Sequence, residues 1–149
     1  MRERVLAIDY GERRVGLAVS NPETGFVSGL PTLDRRTLKE GGLTAAIAAL
    51  VVEREVQRIL LGIPYSLDGS VGPAALRVQA FRDRLHLTTD TPIDEWDERL
   101  TTEAAMRRLQ ELGYSEKEMR DKLDQLSAVL MLEQYLRFRE TQSEPERPA

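Results

Sequence analysis

The chain has 149 residues, of which 41% are hydrophobic and 31% charged, the size and balance of one ordinary folded domain. It has no cysteine and a single histidine, which excludes disulfides, thiolate nucleophiles and zinc sites built from several cysteines or histidines. The formal net charge of −4 argues against a uniformly basic nucleic-acid binder, and the reactive groups that remain for catalysis are mainly carboxylates.

The first part of the chain predicts three strands joined by tight turns. Apolar runs and alternation place these strands at residues 4–10, 15–20 and 26–32. Gly11 lies in the first connection and Pro22 in the second, and both residue types are typical of turns. Because such short connections return the chain beside itself, we expect the three strands to form an antiparallel meander.

The rest of the chain alternates helical and strand patterns. Two further strands are predicted at residues 58–64 and 92–97, and helices at residues 37–55, 73–85, 101–112 and 115–138. Capping boxes mark two of the helix starts, one formed by Thr37 and Glu40 and the other by Ser115 and Glu118. In each box the hydroxyl and the carboxylate are expected to satisfy free N–H groups of the first helical turn.

This order of elements defines the expected fold. It predicts an α/β domain over residues 1–138, with a mixed five-stranded sheet, antiparallel in its first three strands and then parallel, flanked by helices. The polar residues 139–149 are expected to be a disordered C-terminal tail. No stretch approaches the length of a membrane span, the N-terminus is too acidic for a signal peptide and cysteine is absent. A cytoplasmic protein without a membrane partner is therefore expected.

Carboxylates occur at three places where a charge needs compensation. Asp9 ends the first strand, on the face that period-two alternation gives to Val5 and Ala7. Asp124 lies on the last helix, in line with an apolar stripe that continues through Ala128. Each also has a structural interpretation, since Asp9 suits a turn before glycine and Asp124 suits the electropositive start of a helix.

The third place is the end of the fifth strand, where Asp97 and Glu98 are adjacent. Alternation points the two side chains to opposite faces of the sheet, so one of them must share the face of Asp9. From the alternation itself, Asp97 is the one favoured on that face. The structural alternative is a solvated strand end followed by a helix cap at Thr101.

Carboxylates from a first strand, a later strand and a C-terminal helix can converge at one end of a sheet. Such a cluster holds two hard divalent cations about 3.5–4 Å apart, and Mg²⁺ or Mn²⁺ is satisfied by oxygen ligands. Paired arginines, among them Arg13 with Arg14, offer local positive charge for the phosphates of a nucleic acid despite the negative total. The sequence therefore favours a metal-dependent nuclease.

Four parts of the chain, in this order, resemble the YqgF/RuvX family of Holliday-junction-resolvase-like proteins and pre-16S rRNA nucleases. The matching runs are AIDYG at 7–11 with RVGLA at 14–18, LGIP at 61–64 with DGS at 68–70, WDERLTT at 96–102, and KLDQLSA at 122–128. The resemblance spans residues 4–138 and implies the RNase H-like fold. The Asp-x-Gly at the end of the first strand is by itself a weak signal of this family, whereas the four runs together are specific for it.

The resemblance implies roles for three carboxylates. Asp9, Glu98 and Asp124 would be the catalytic residues and the ligands of two Mg²⁺ or Mn²⁺ ions. At the fifth strand the family motif favours Glu98, whereas alternation favours Asp97. A bulge at the strand end would reconcile the two.

Three further residues are candidate substrate contacts. Arg14 and Arg99 are placed to touch phosphate, or alternatively to pair with the acidic cluster. Ser70 lies in a glycine-bearing loop before a helix, either an anion-binding loop or an ordinary connection. The chain departs from the usual family pattern at Ser127, where alanine is common, and at Tyr65 with Ser66, where an apolar residue and asparagine are usual.

The resulting hypothesis is an endonuclease acting on structured nucleic acid, with 5′-end processing of pre-16S rRNA placed first. Resolution of Holliday junctions in branched DNA, which requires a homodimer with two centres, is the close alternative. A non-catalytic nucleic-acid-binding or ribosome-assembly module is another. A nucleotide-binding fragment of the actin-like type is disfavoured, because such a site needs two lobes.

Overall fold

Five strands form one mixed sheet in the computed structural model, which describes residues 2–143 of the chain. Within that range, seven side chains lie outside the description, namely those of Glu40, Thr102, Ala104, Asp121, Asp124, Gln125 and Ser143. The strands are β1 (Val5–Tyr10), β2 (Arg14–Ser20), β3 (Val27–Asp34), β4 (Arg58–Ile63) and β5 (Ile93–Asp97). The helices are α1 (Glu40–Glu53), α2 (Pro73–His86), α3 (Glu98–Glu111) and α4 (Glu116–Ser143).

The order of strands across the sheet is β3-β2-β1-β4-β5. The three N-terminal strands pair antiparallel, whereas β1 with β4 and β4 with β5 pair parallel. This confirms the predicted mixed sheet flanked by helices. Because β1, β4 and β5 run in one direction, their C-terminal ends meet at a single edge, where ligand sites of such sheets form.

Alternate residues of β1 point to two different layers. Leu6 and Ile8 lie in a core that also contains side chains of α1 and α2, including Phe81. Val5 and Ala7 lie in a second core, with the buried side of α4. The second core contains the predicted apolar stripe of the last helix, Ala128, Met131 and Tyr135. Asp9 continues the alternation of Val5 and Ala7 and therefore faces α4.

A network of charges and hydroxyls fastens α4 to the end of the sheet opposite Asp9. Arg58 lies 3.2 Å from Glu3 and 3.1 Å from Asp94. From α4, Arg139 lies 3.1 Å from Glu3, and the Tyr135 hydroxyl donates a hydrogen bond to Asp94. Burial and this hydrogen bond raise the pKa of Tyr135 to about 12. The network fixes how α4 lies across the sheet, and hence what its other end brings to Asp9.

The predicted helix starts have mixed outcomes. The Ser115 box is confirmed for its hydroxyl, which accepts from the Glu118 N–H, whereas the Glu118 carboxylate accepts from that same hydroxyl at 2.8 Å. The Thr37 box is wrong, because the Thr37 hydroxyl donates to the carbonyl of Asp34 and α1 begins after Lys39 without a side-chain cap. The remaining differences lie at helix α3 and at the end of the chain.

Helix α3 begins at Glu98, earlier than the predicted residue 101, because Asp97 already supplies its cap. Helix α4 continues past residue 138 to Ser143, and residues 144–149 of the predicted tail lie outside the described residues. None of the helices in the described part is both long and apolar enough to cross a membrane.

Candidate active site

Asp9 and Glu98 meet at the edge of the sheet where the parallel strands end. Asp9 is next to last in β1, and Glu98 follows directly after β5. The strand between them, β4, presents Gly62, and a Cβ atom added there would lie 2.6 Å from Oε1 of Glu98. That distance is shorter than any van der Waals contact, so the missing side chain at Gly62 is what lets Glu98 cross β4 toward Asp9.

The proximity of the two carboxylates changes the proton affinity of Glu98. Burial raises the pKa of Glu98 to about 9, and the negative charge of Asp9 and a hydrogen bond with Asp9 add to the effect. Burial and the neighbouring carboxylate thus disfavour the charged form of Glu98. An arrangement that disfavours two negative charges in a buried place is one that a bound cation would stabilise.

Asp9 is also held from α4 and from β2. The Ser127 hydroxyl donates a hydrogen bond to Oδ2 of Asp9. Gly16 is the partner of Asp9 in β2, and a Cβ atom there would lie 3.5 Å from the Asp9 Cβ and 3.8 Å from the Ala128 Cβ. Small residues on both elements thus allow α4 to approach Asp9 closely. In the sequence, Ser127 stands out only as a departure from the family pattern, and its contact with Asp9 is visible only in the structure.

Asp97 faces away from Asp9, so the expectation from alternation is wrong. The side chains of Asp94 and Trp96 reach Tyr135 of α4, which places the even-numbered residues of β5 on the Asp9 face. Glu98 continues that series and needs no bulge. The face of β5 depends on its register with β4, where Leu60 pairs with Asp94, and the sequence of β5 alone does not contain this information.

Asp97 instead organises the start of α3. Its carboxylate accepts a hydrogen bond from the Arg99 N–H at 3.0 Å and lies 2.6 Å from the Arg99 guanidinium. The hydrogen bonds from Arg99 hold the pKa of Asp97 below its usual range. Of the two interpretations of Arg99, pairing with a carboxylate is the one observed, although its partner is Asp97 and not the Asp9–Glu98 pair.

The third predicted carboxylate, Asp124, lies on α4 one turn before Ser127, and its side chain is outside the described residues. Among the side chains that are described, no three acidic or histidine residues are grouped closely enough to hold a metal ion. The described part of the site thus consists of Asp9, Glu98 and the Ser127 hydroxyl, all of them hard oxygen donors.

The remaining predicted contacts surround this site. Arg14 is exposed at the start of β2, and its carbonyl accepts the hydrogen bond from Gly11 that closes the β1–β2 turn. Ser70 is turned toward its own loop, where its hydroxyl donates to Asp68 at 2.6 Å. Arg99 donates to the carbonyl of Leu67 in the same loop at 3.3 Å. The loop before α2 therefore lies beside Glu98, with Arg99 as the link.

Comparisons with known proteins identify the family and the fold of the chain. A family model described as "RuvX: Holliday junction resolvase" matches residues 3–138. A relative from Halothermothrix orenii, named "putative pre-16S rRNA nuclease", is 36% identical over 135 residues, which is 91% of this chain and 95% of the relative. A relative of the same name from Halalkalibacterium halodurans is 38% identical over 133 residues, which is 89% of this chain and 95% of the relative.

Among solved structures, Thermus thermophilus RuvC in complex with a Holliday junction substrate superposes with a TM-score of 0.59. The two chains are 12% identical, and the match covers 93% of this chain and 96% of RuvC. At this identity the similarity concerns the fold, and RuvC has an RNase H-like fold. The predicted fold family is confirmed by this match.

Proposed function

The chain belongs to the family of RuvX Holliday junction resolvases, and from this premise we propose that it is a divalent-metal-dependent endonuclease that hydrolyses phosphodiester bonds in structured nucleic acid. The single observation that carries the proposal is the contact between Asp9 and Glu98 at the C-terminal edge of the sheet. Two carboxylates so close together in a buried place form a centre that attracts cations.

The side chains present fit Mg²⁺ or Mn²⁺. Both ions prefer hard oxygen ligands and keep several waters, so two or three carboxylates suffice to hold them. We assign Asp9, Glu98 and Asp124 as the ligands, with Asp124 supplied from α4. When bound, a pair of such ions supplies an activated water and stabilises the leaving oxygen of the phosphodiester.

The protein's own residues position that chemistry. Asp9 is fixed by the Ser127 hydroxyl, and Glu98 is fixed by the start of α3 and by the space over Gly62. A supporting hydrogen bond of this kind orients a metal ligand and strengthens metal binding. Arg14 and the Arg99 region are assigned to the phosphates of the substrate, where their positive charge offsets the acidic centre.

For the physiological substrate we place the 5′ end of pre-16S rRNA first, because the relatives matched over nearly their whole length carry that name. A Holliday junction is the second substrate, supported by the description of the family. Cutting a junction symmetrically needs two centres, so for that substrate the active form would be a homodimer. The alternative from another functional class is a non-catalytic nucleic-acid-binding or ribosome-assembly module.

A cleavage assay separates these functions. Purified protein is incubated with a pre-16S rRNA fragment containing the 5′ precursor end, and separately with a four-way DNA junction, in Mg²⁺, in Mn²⁺ and in EDTA. The proposal expects metal-dependent cuts that Asp9→Asn and Glu98→Gln abolish while binding is retained. Asp90→Asn, at an exposed position between α2 and β5, is the matched control and should cut normally. Binding of either substrate without any cleavage by the wild type would identify a binding module.

A further inference from the structure

A cavity of about 700 Å³ opens beside the carboxylate pair. Glu98 and Arg99 form the side that it shares with the candidate active site. Its other walls are Pro64, Tyr65 and Leu67, from the segment between β4 and α2, and Leu100 and Glu103, from α3. Its volume lies within the usual range for sites that accept small molecules or parts of larger ones.

The apolar walls of this cavity are exposed to an unusual degree. Leu67 is 97% exposed and Leu100 is 56% exposed, although both stand next to an acidic centre. One exposed leucine needs no explanation, but two that face one cavity form an apolar surface that could be covered by a ligand. Their position beside Glu98 makes the substrate itself the ligand to consider.

The loop that carries Leu67 is braced by hydrogen bonds. The Ser66 N–H donates to the Ser70 carbonyl at 3.0 Å, and the Gly69 N–H donates to the Ser66 carbonyl at 2.8 Å. The Arg99 side chain bonds the Leu67 carbonyl, so α3 and the loop hold each other. The Leu67 side chain is therefore presented outward by a supported turn.

The aromatic wall is braced as well. The Arg99 guanidinium lies 5.8 Å from the centre of the Tyr65 ring, within the range of a cation–π contact. Because Arg99 is also paired with Asp97, the guanidinium, the ring and the leucines form one supported surface. Flat aromatic and guanidinium groups next to apolar side chains are the surface on which unpaired bases stack.

We propose that this cavity binds one unpaired nucleobase of the substrate, adjacent to the phosphodiester that the Asp9–Glu98 centre cuts. The inference rests on the proposed nuclease function and deepens it, since it names the feature of the nucleic acid that is selected. A base paired within a continuous duplex cannot enter the cavity without leaving its stack. The protein is therefore expected to favour sites where a base is already free, such as a bulge, a loop or a branch.

The test compares two RNA duplexes with the same paired sequence and the same fluorescent label at one end, one of them with an additional, unpaired 2-aminopurine nucleotide. Binding is measured in Ca²⁺ by fluorescence, for the wild type and for Leu67→Ser and Tyr65→Ala. Since a stacked base contributes an appreciable part of the affinity, each variant should bind the bulged RNA about tenfold more weakly. Binding of the perfect duplex should be unchanged. Leu87→Ser is the matched control, because Leu87 is 90% exposed and lies at the C-terminal end of α2.

An equal loss on both RNAs, or no loss on the bulged RNA, would overturn the base-binding proposal. Thermal stabilisation by Mn²⁺ is followed in the same variants, because it reports on the carboxylate pair and should not change. If Leu67→Ser behaves like the wild type while Asp9→Asn abolishes cleavage, the cavity proposal fails and the nuclease function stands. If the wild type neither binds these RNAs nor cuts any substrate, both proposals fail.

Discussion

Gly62 and Glu98 lie so close together that no side chain would fit between them at position 62. A Cβ atom on Gly62 would lie 2.6 Å from Oε1 of Glu98 and 2.9 Å from its Cγ. The same atom would lie 2.9 Å from the Met131 sulfur of α4. The middle strand of the parallel set, β4, therefore has a glycine at the position where two carboxylates and a buried helix meet.

Gly62→Ala should displace Glu98 and remove cleavage while the protein still folds. Overpacking of this kind costs roughly 1–3 kcal/mol of stability, which a domain of this size withstands. Chemical denaturation and the cleavage assay measure the two effects. Gly41→Ala is the control, because nothing lies within 4 Å of a Cβ atom there and alanine favours a helix. Wild-type cleavage by Gly41→Ala and by Gly62→Ala alike would contradict the steric argument.

Glu98→Gln should stabilise the protein in the absence of metal. The pKa of Glu98 is about 9 in the folded chain against 4.5 for an ordinary glutamate, so folding binds a proton between these values. Wild-type stability therefore falls relative to Glu98→Gln as the pH rises above 4.5. At pH 7 the difference should be about 3 kcal/mol, and near pH 4.5 it should nearly vanish.

Urea denaturation in EDTA at several pH values measures this difference. Glu53→Gln, at an exposed position at the end of α1, serves as the control and should show no such pH dependence. A Glu98→Gln protein as stable as the wild type at every pH would show that burial and Asp9 do not raise the pKa of Glu98.

Ser127→Ala should weaken metal binding, because the hydrogen bond that orients Asp9 is lost. Loss of such a supporting contact typically costs 10–100-fold in metal affinity or activity, and about tenfold is expected for Mn²⁺ here. Ser127→Thr keeps a hydroxyl and should retain most of the affinity. Calorimetric titration measures the constants. Equal affinity in the wild type and Ser127→Ala would show that the hydroxyl does not position Asp9.

Asp97→Asn distinguishes the role of Asp97 from that of Glu98, the two acidic residues at the end of β5. Because Asp97 faces away from Asp9 and asparagine also caps helices well, the variant should lose at most about 1 kcal/mol of stability, through the lost charge in its pair with Arg99. Its thermal stabilisation by Mn²⁺ should remain, whereas that of Glu98→Gln should disappear. The opposite result would make Asp97 the metal ligand.

Much of the fold could be predicted because local patterns determine it. The apolar run before Asp9 and the tight turn at Gly11 are enough to predict the β1–β2 hairpin. The start of α3 was missed because a threonine cap was expected at residue 101, whereas Asp97 already accepts from the Arg99 N–H. The interaction that decides this boundary lies between side chain and backbone, and periodicity does not detect it.

The site itself was predictable only in part. Asp9 could be placed on the face of Val5 and Ala7 from β1 alone, whereas the packing of α4 on that face is a property of the tertiary structure. The choice between Asp97 and Glu98 depends on how β5 is registered against β4, which is a long-range property. The contact of Ser127 with Asp9 joins residues 118 positions apart, so only the tertiary structure reveals it.

Calorimetric titration with Mn²⁺ at neutral pH measures whether Asp9 and Glu98 form a centre for divalent cations. The wild type and Asp90→Asn should bind Mn²⁺ alike, with about two ions per chain. Asp9→Asn and Glu98→Gln should each lose most of that binding. Affinity and stoichiometry that stay the same in all four proteins would show that these two carboxylates do not bind the ions.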